Sequence, residues 1–435
     1  MDYDLAVIGS GWAGFNAALR AKKHGLRVAL IEKGQIGGTC LNRGCIPTKA
    51  LLQSAKAFTL TKKAAIFGIE TSSPQINFSE IQARKNRIIQ QLRQSMESAL
   101  KGIDFINQQA RILSANTIEA GSRQISAKFM LIASGSEPAQ LPGLKFDFKK
   151  IISSNEILDL NNIPKSLLII GGGAIGCEFA SLFCAFGVQV SIVELTPQLL
   201  PGADKEIARK LESIFKKKGI KVATNTDANN LDFTQYELIL LCIGRTSVSG
   251  GLGLDNLGVR LEKNRIIVDE YLRTSIPNIF AAGDCAGKIC LAHFAAYQGN
   301  IAAANIIDPS RLKKADLSSV PSCIFTDPQI GSVGSTEEEA RNKGVDIRVG
   351  KFDFMGSGMA RILDETDGFI KIIFNNKTDE VIGASIIGPR ATELIATLTQ
   401  AVQLRLKGAS LRELLLAHPS LSESISEAIE RGYGI

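Results

Sequence analysis

The sequence predicts an α/β protein: two Rossmann-like dinucleotide-binding domains followed by a C-terminal α/β domain. Three observations predict it. Near the start, "DLAVIGSGWAG" through "RVALIE" sets out an apolar run, a glycine turn, a helix-forming stretch, a second apolar run and an acid. The same order returns in "SLLIIGGGAIG" through "VQVSIVE", and in both copies the acid lies 23 residues past the first glycine. Beyond residue 316 no such unit recurs; the strands "GFIKIIF" and "EVIGASII" precede a long apolar helix, "ELIATLTQAVQLRL".

In the first copy, Gly9, Gly11 and Gly14 let the backbone approach a pyrophosphate at a helix N-terminus. The helix runs to Gly25, and Glu32 ends the next strand, where an acid takes ribose hydroxyls. Then comes "GGTCLNRGCIPTKALL" (37–52), which sets two cysteines among glycines, Thr39, Asn42 and Arg43 rather than among core residues. In a regular helix, residues five apart have Cα atoms about 8.7 Å apart, beyond the reach of about 7 Å for a disulfide. A bond between Cys40 and Cys45 therefore requires a distorted helix start, which Gly44 and Pro47 permit. A disulfide there, without a secretion signal, reads as catalytic rather than structural.

The second copy repeats the turn at Gly171, Gly173 and Gly176, with a helix to Gly187 and Glu194 at the end of the following strand. Glu194 accepts hydrogen bonds from a ribose 2′-OH and repels a 2′-phosphate, and no arginine follows before Lys205, so NAD is expected over NADP. Further on, "IFAAGD" is an apolar strand ending in a glycine and Asp284, which suits a ligand at the strand's carboxyl end.

Thiol chemistry needs a base, and the chain has three histidines. His24 precedes Gly25 at a helix end, where an imidazolium meets the dipole. His293 lies in "LAHFAAYQG". In "AHPSLSES", Glu423 follows His418 by five residues with Pro419 between, so a carboxylate on one ring nitrogen could leave the other to take a thiol proton. On the residues alone, a loop histidine beside a helix cap is an equal reading.

Composition narrows the function classes. The chain's 435 residues, 45% hydrophobic and 21% charged, suffice for two or three domains with their own cores. Fifty lysines and arginines face 43 acids without clustering, and the densest run, Lys216 to Lys218, precedes Gly219 as a helix C-terminus does, so no nucleic-acid face is expected. "MDYDLAVIG" enters a strand with no targeting pattern, and the mature chain is expected to begin there. Residues 166–187 are apolar enough for a membrane span, but their glycines and Glu178 favour a buried strand, turn and helix. The remaining cysteines, 177, 184, 242, 285, 290 and 323, sit in apolar company without zinc spacing; core thiols, no metal and a cytoplasmic location are expected.

With both fingerprints and the cysteine segment in view, the chain resembles the pyridine nucleotide:disulfide oxidoreductases, and most closely the members that reoxidise protein-bound dihydrolipoamide. The resemblance spans nearly the whole length. It includes "LIASGSEP" with Gly135, "LCIGR" with Gly244, "IFAAGDCAG", "LAHFAAYQG" with Ala292 and His293, "VPSCIFTDPQIGSVG", "IIGPRATELI" and "HPSLSE". It implies FAD on the first fingerprint and NAD on the second. Asp284 would then hold the ribityl or phosphate region of FAD, with Lys49 and Glu178 beside the reactive flavin nitrogen and His293 near the flavin. It also implies a redox disulfide, with Cys40 as the interchange thiol, Cys45 next to the flavin, and His418 with Glu423 as the base pair.

The implied domains are a discontinuous FAD domain (1–143 and 266–315), an NAD domain (144–265) and a dimerisation domain (316–435). The implied partners are a second copy, giving a homodimer, and the lipoyl-bearing domain of a 2-oxoacid dehydrogenase complex or a glycine cleavage H protein. Departures from the family pattern fall outside the redox centre. "GRTSVSGG" replaces a glycine-arginine-any-proline-asparagine run, and Leu416 stands where a second histidine is common. Asp327 is a mercuric reductase-like feature, but the tail "ERGYGI" lacks the paired cysteines of those enzymes. Glu194 and "CIPTKALL" count against a glutathione-type reductase, and the retained cysteines, His418 and Glu423 count against a redox sensor or scaffold without turnover.

Overall fold

The structure, a computed structural model, describes residues 1–434. Three sheets organise it. The first is centred on Tyr3–Ile8, flanked by Val28–Ile31 and then Asp104–Ile106 on one side and by Arg123–Ile132 on the other, all parallel. Leu5 to Ile8 and Val28 to Ile31 are buried without alternation because helices cover the sheet, so apolar side chains are required on both faces. The helices Trp12–Lys23 and Ala292–Ile307 pack against each other on that sheet.

The strand Ile279–Ala281 pairs with Met130 to Ile132, so the chain re-enters the first sheet after building the second. The return starts earlier than the expected boundary at 266. The Ile112 N–H donates to the Leu252 carbonyl at 2.8 Å, and Leu252, Leu254 and Val259 are buried with Ile112 and Ile118. The physical reason is coverage: the antiparallel strands Ala110–Ser114 and Thr117–Ala120 need an apolar layer, and residues 252–259 provide it.

The second sheet is parallel, ordered Lys221–Ala223, Gln189–Val193, Ser166–Ile170, Leu238–Leu241 and Ile151–Ile152. The apolar stretch 166–187 divides into the strand Ser166–Ile170 and the helix Ala174–Ala185, and among the described residues no helix is long and apolar enough to cross a membrane. Lys216 pairs with Glu212 in the last turn of Lys205–Lys217, as the favourable dipole suggests.

The third sheet is antiparallel, ordered Ser322–Ile324, Gln329–Gly334, Val381–Gly388, Phe369–Asn375 and Ile347–Asp353. Ala391–Gln403 and Glu423–Gly432 cover it, through Leu394, Ile395 and Leu398 in the first helix and Ile425, Ala428 and Ile429 in the second.

Candidate active site

The two cysteines occupy consecutive helices. Gly38–Arg43 carries Cys40, Cys45 opens Cys45–Lys62, and the axis breaks at Gly44, whose φ and ψ are −149° and −113°. That break is the distortion a disulfide across five residues needs. A Cβ on Gly38 would lie 2.8 Å from the Gly11 Cα, so the cysteine-bearing helix sits directly on the first glycine turn. Asn42 donates to the Ile36 and Gly38 carbonyls at 2.9 Å each and accepts from Arg93 at 2.7 Å, which locks the entry to this helix.

Both cysteines are half-buried thiols. Cys40 donates to Cys45, and this bond, opposed by burial and aided by the Lys49 ammonium, lowers Cys45 to about 7. The same bond, together with burial, holds Cys40 well above the usual thiol range. The indole N–H of Trp12 acts the other way on Cys40, toward the thiolate; it is buried and has no conventional acceptor. Trp12 was missed in the sequence because it stands inside the glycine fingerprint, where a side chain reads as spacer. Its being the chain's single tryptophan was the available signal.

Lys49, one turn after Cys45, reaches both oxygens of Glu178 at 2.9 and 2.8 Å. Glu178 is buried and also accepts the Phe325 N–H at 2.9 Å, while the Lys49 ammonium lies 4.7 Å from the Phe325 ring centre. The ring Nε2 of His293 meets the Pro321 carbonyl at 2.9 Å. Residues 321–325 of the third unit thus brace Lys49, Glu178 and His293. Backbone groups and a phenyl ring do this, so although the segment "VPSCIFTDPQIGSVG" belongs to the family resemblance, no individual residue in it stands out as a site residue.

The two glycine turns match contact for contact. A Cβ on Gly9 would meet the Ala133 oxygen at 2.3 Å and one on Gly171 the Cys242 oxygen at 2.5 Å; on Gly14 and Gly176 it would strike the first glycine's own carbonyl at 1.9 and 2.0 Å. Over Gly11 and Gly173 there is open space, and each begins a helix with no side-chain cap. Free N–H groups facing open space at a helix N-terminus fit a bound pyrophosphate. Glu32 accepts from the Ser10 N–H and hydroxyl at 2.8 and 2.9 Å and from the Gly34 N–H at 2.8 Å. Glu194 accepts from the Gly172 and Thr196 N–H groups at 2.7 and 2.8 Å, and each carboxylate keeps lone pairs for ribose hydroxyls.

Asp284 sits beyond the strand Ile279–Ala281 and accepts from Ser136, which in turn accepts from the Arg245 Nε at 2.7 Å. Gly135 and Gly244 adopt left-handed angles immediately before Ser136 and Arg245, turning the two strands into this contact. Ala292 opens the helix Ala292–Ile307.

His418 and Glu423 form a pair, Nδ1 to Oε1 at 2.8 Å. The Ser420 N–H on the other oxygen, at 2.8 Å, and then the His418 bond hold the Glu423 carboxyl below its ordinary range. The pair is not hydrogen-bonded to the cysteines of its own chain; the His418 side chain is 81% exposed, and neighbouring Leu415 is 99% exposed. His24 caps the end of Trp12–Lys23. Among the described residues no group of three or more His, Cys, Asp or Glu is arranged to hold a metal ion.

A thiol pair seated on one of two nucleotide turns defines a class, and comparison with known proteins names it: the chain belongs to the pyridine nucleotide-disulphide oxidoreductase family. Residues 3–299 match that family and residues 320–429 match its dimerisation domain. The chain is 36% identical to a dihydrolipoyl dehydrogenase of Bacillus subtilis, covering 98% of this chain and 97% of the relative. It is 38% identical to a dihydrolipoyl dehydrogenase of Chlamydia pneumoniae, covering 98% and 96%. Among solved structures it resembles LpdA from Mycobacterium tuberculosis, with TM-score 0.91, 29% identity, and 98% and 99% of the two chains covered. The HOCl-induced flavoprotein disulfide reductase RclA from Escherichia coli is also similar, with TM-score 0.88 at the same identity and coverage.

Proposed function

We infer that the protein is an NAD-dependent dihydrolipoyl dehydrogenase, which reoxidises dihydrolipoamide through Cys40, Cys45 and FAD. The observation that carries this reading is the Cys40 and Cys45 pair at the helix break, seated on the first glycine turn with Lys49 and Glu178 behind it. Bound FAD supplies a two-electron relay between the thiol pair and NAD.

The protein's own groups do the rest. A dihydrolipoamide thiol gives its proton to His418 and attacks Cys40 of the Cys40–Cys45 disulfide. The S–S bond breaks, leaving Cys40 in a mixed disulfide with the substrate, and Cys45 departs as a thiolate stabilised by the nearby Lys49 ammonium. His418 then passes its proton to the Cys40 sulfur as that sulfur departs and takes the proton of the second substrate thiol, which attacks the substrate sulfur in the mixed disulfide; lipoamide is released, and Cys40 is left as a thiol with Cys45 as a thiolate. Glu423 fixes the His418 tautomer through Nδ1, so Nε2 is the proton acceptor. Glu194 selects a ribose without a 2′-phosphate.

The working form is a homodimer in the cytoplasm, each His418 facing the cysteines of the other chain. Exposed Leu414, Leu415, Leu404 and Ile362 in the third unit support a contact with a second copy. The electron donor is a lipoyl arm on the carrier domain of a 2-oxoacid dehydrogenase complex or on a glycine cleavage H protein.

Anaerobic titration with dihydrolipoamide tests this. The flavin absorbance should bleach and NAD should restore it; a flavin that dihydrolipoamide leaves oxidised would overturn the reading. His418→Gln should slow the bleaching by about 10²- to 10⁴-fold with FAD content unchanged.

A further inference from the structure

A buried lysine joins the third unit to the second. Lys371, in the strand Phe369–Asn375, has 2% of its side chain exposed. Its ammonium meets three carboxylates: Asp204 at 2.9 Å, Glu206 at 2.9 Å and Glu337 at 2.6 Å. Glu206 also takes Lys351 at 2.5 Å and Glu337 takes Arg341 at 2.8 Å, so three cations balance three anions. Burial pushes Lys371 down, but the bonds to Glu206, Glu337 and Asp204 prevail and hold it above its ordinary range. As a fastening between domains this is costly, since well-packed apolar groups would do as well without the desolvation penalty. What an ionic cluster adds is geometry.

That geometry falls on Asp204. One of its oxygens caps the helix Lys205–Lys217 at the Glu206 N–H, 2.9 Å, and the other receives Lys371. Asp204 ends a strap, residues 194–204, that begins at Glu194 and has no regular secondary structure. The strap is tied to the second glycine turn at its near end: Gly172 donates to Glu194 at 2.7 Å and Leu200 donates to the Gly172 carbonyl at 2.8 Å. Internal bonds pass the constraint along, from Ala203 N–H to the Leu200 carbonyl at 2.8 Å and from Gln198 to the Ala203 carbonyl at 3.1 Å. At the far end, Asp204 is clamped by Lys371 of the third unit.

We propose that Lys371 is a positioning residue for the nicotinamide nucleotide: through Asp204 it fixes the strap whose Leu200 N–H is bonded to the Gly172 carbonyl of the second glycine turn. The proposal rests on the reading of residues 171–194 as the NAD site. Removing the ammonium loosens the strap and with it the Leu200 bond to the Gly172 carbonyl, which lets the second glycine turn shift and weakens nucleotide binding without touching the thiols.

The test separates nucleotide binding from dithiol chemistry. In the holoenzyme, the Kd for NADH is read from the concentration dependence of flavin reduction by NADH, and bleaching by dihydrolipoamide is followed separately. Lys371→Met should raise the NADH Kd on the order of tenfold, within the usual range of coupling between sites. Flavin content and the rate of bleaching by dihydrolipoamide should stay at wild-type values. Asp204→Asn, which keeps an oxygen for the helix cap, should give a similar rise, and the double variant should be no worse than either single. Should Lys371→Met not fold, Asp204→Asn alone carries the test. An unchanged NADH Kd in a folded variant, or rises that multiply in the double variant, would overturn the proposal. Wild-type protein that NADH reduces and dihydrolipoamide does not would instead count against the substrate reading and leave the Lys371 test intact.

Discussion

Cys45 is the thiol that changes charge near neutrality. Its value of about 7 lies below that of an ordinary thiol because Cys40 donates to it and Lys49 stands nearby, while Cys40 is held up by the same bond. The sign follows: in reduced enzyme below pH 7 both thiols keep their protons, and above it Cys45 ionises while Cys40 stays protonated. Thiolate ultraviolet absorbance of the reduced protein should therefore rise by one group per chain with a midpoint near pH 7. Cys45→Ser should abolish that step, and a wild-type midpoint near the ordinary thiol value would contradict the assignment. The serine variant should also keep FAD and its reduction by NADH while losing lipoamide-linked turnover. Trp12 bears on the other thiol. Trp12→Phe removes the N–H that favours charge on Cys40, so alkylation of Cys40 in reduced enzyme should slow. Unaltered alkylation kinetics would return Trp12 to a packing role.

At the scale of elements, the strand, glycine turn and helix are where sequence and structure agree most closely, because each determinant is local. Gly9 and Gly171 need left-handed angles, Gly14 and Gly176 need a missing Cβ against a carbonyl within the same turn, and the acid needs only the end of the next strand. Such conditions leave their mark on a short stretch of letters. The helix break at Gly44 was legible for the same reason. What the letters could not show was assembled across the chain: Phe325 on Glu178, Lys371 on Asp204, and the layer formed by residues 252–259, each made by residue types that occur everywhere. The likeness of the two turns gives a prediction at this scale. Gly176→Ala places a Cβ 2.0 Å from the Gly171 carbonyl, a contact no small shift relieves, so the helix must move off the turn. NAD-linked turnover should fall at least tenfold, while dihydrolipoamide still reduces the flavin held on the other turn. Parallel loss of both half-reactions would mean that the two turns do not serve separate nucleotides.

For the whole molecule, the question is why the His418–Glu423 pair and the cysteine pair are so far apart in the chain. Cys40 and Cys45 belong to the first sheet's unit, whereas His418 and Glu423 precede and open the last helix of the third. In a single chain His418 is bonded to Glu423, largely exposed, and flanked by an exposed leucine. An orienting carboxylate already in place beside an imidazole open to its surroundings is what a site completed by a second copy requires. Residues 320–429 match a dimerisation domain, which makes a two-fold contact through this unit the natural completion. Mixing variants decides the matter. Co-refolding inactive Cys45→Ser with inactive His418→Gln chains should give heterodimers in which the cysteines of the second chain face the histidine of the first. One site of two is then intact, and random pairing restores about a quarter of wild-type sites. If each histidine served its own cysteines, every site would lack one partner or the other, and the mixture would stay as inactive as its parents.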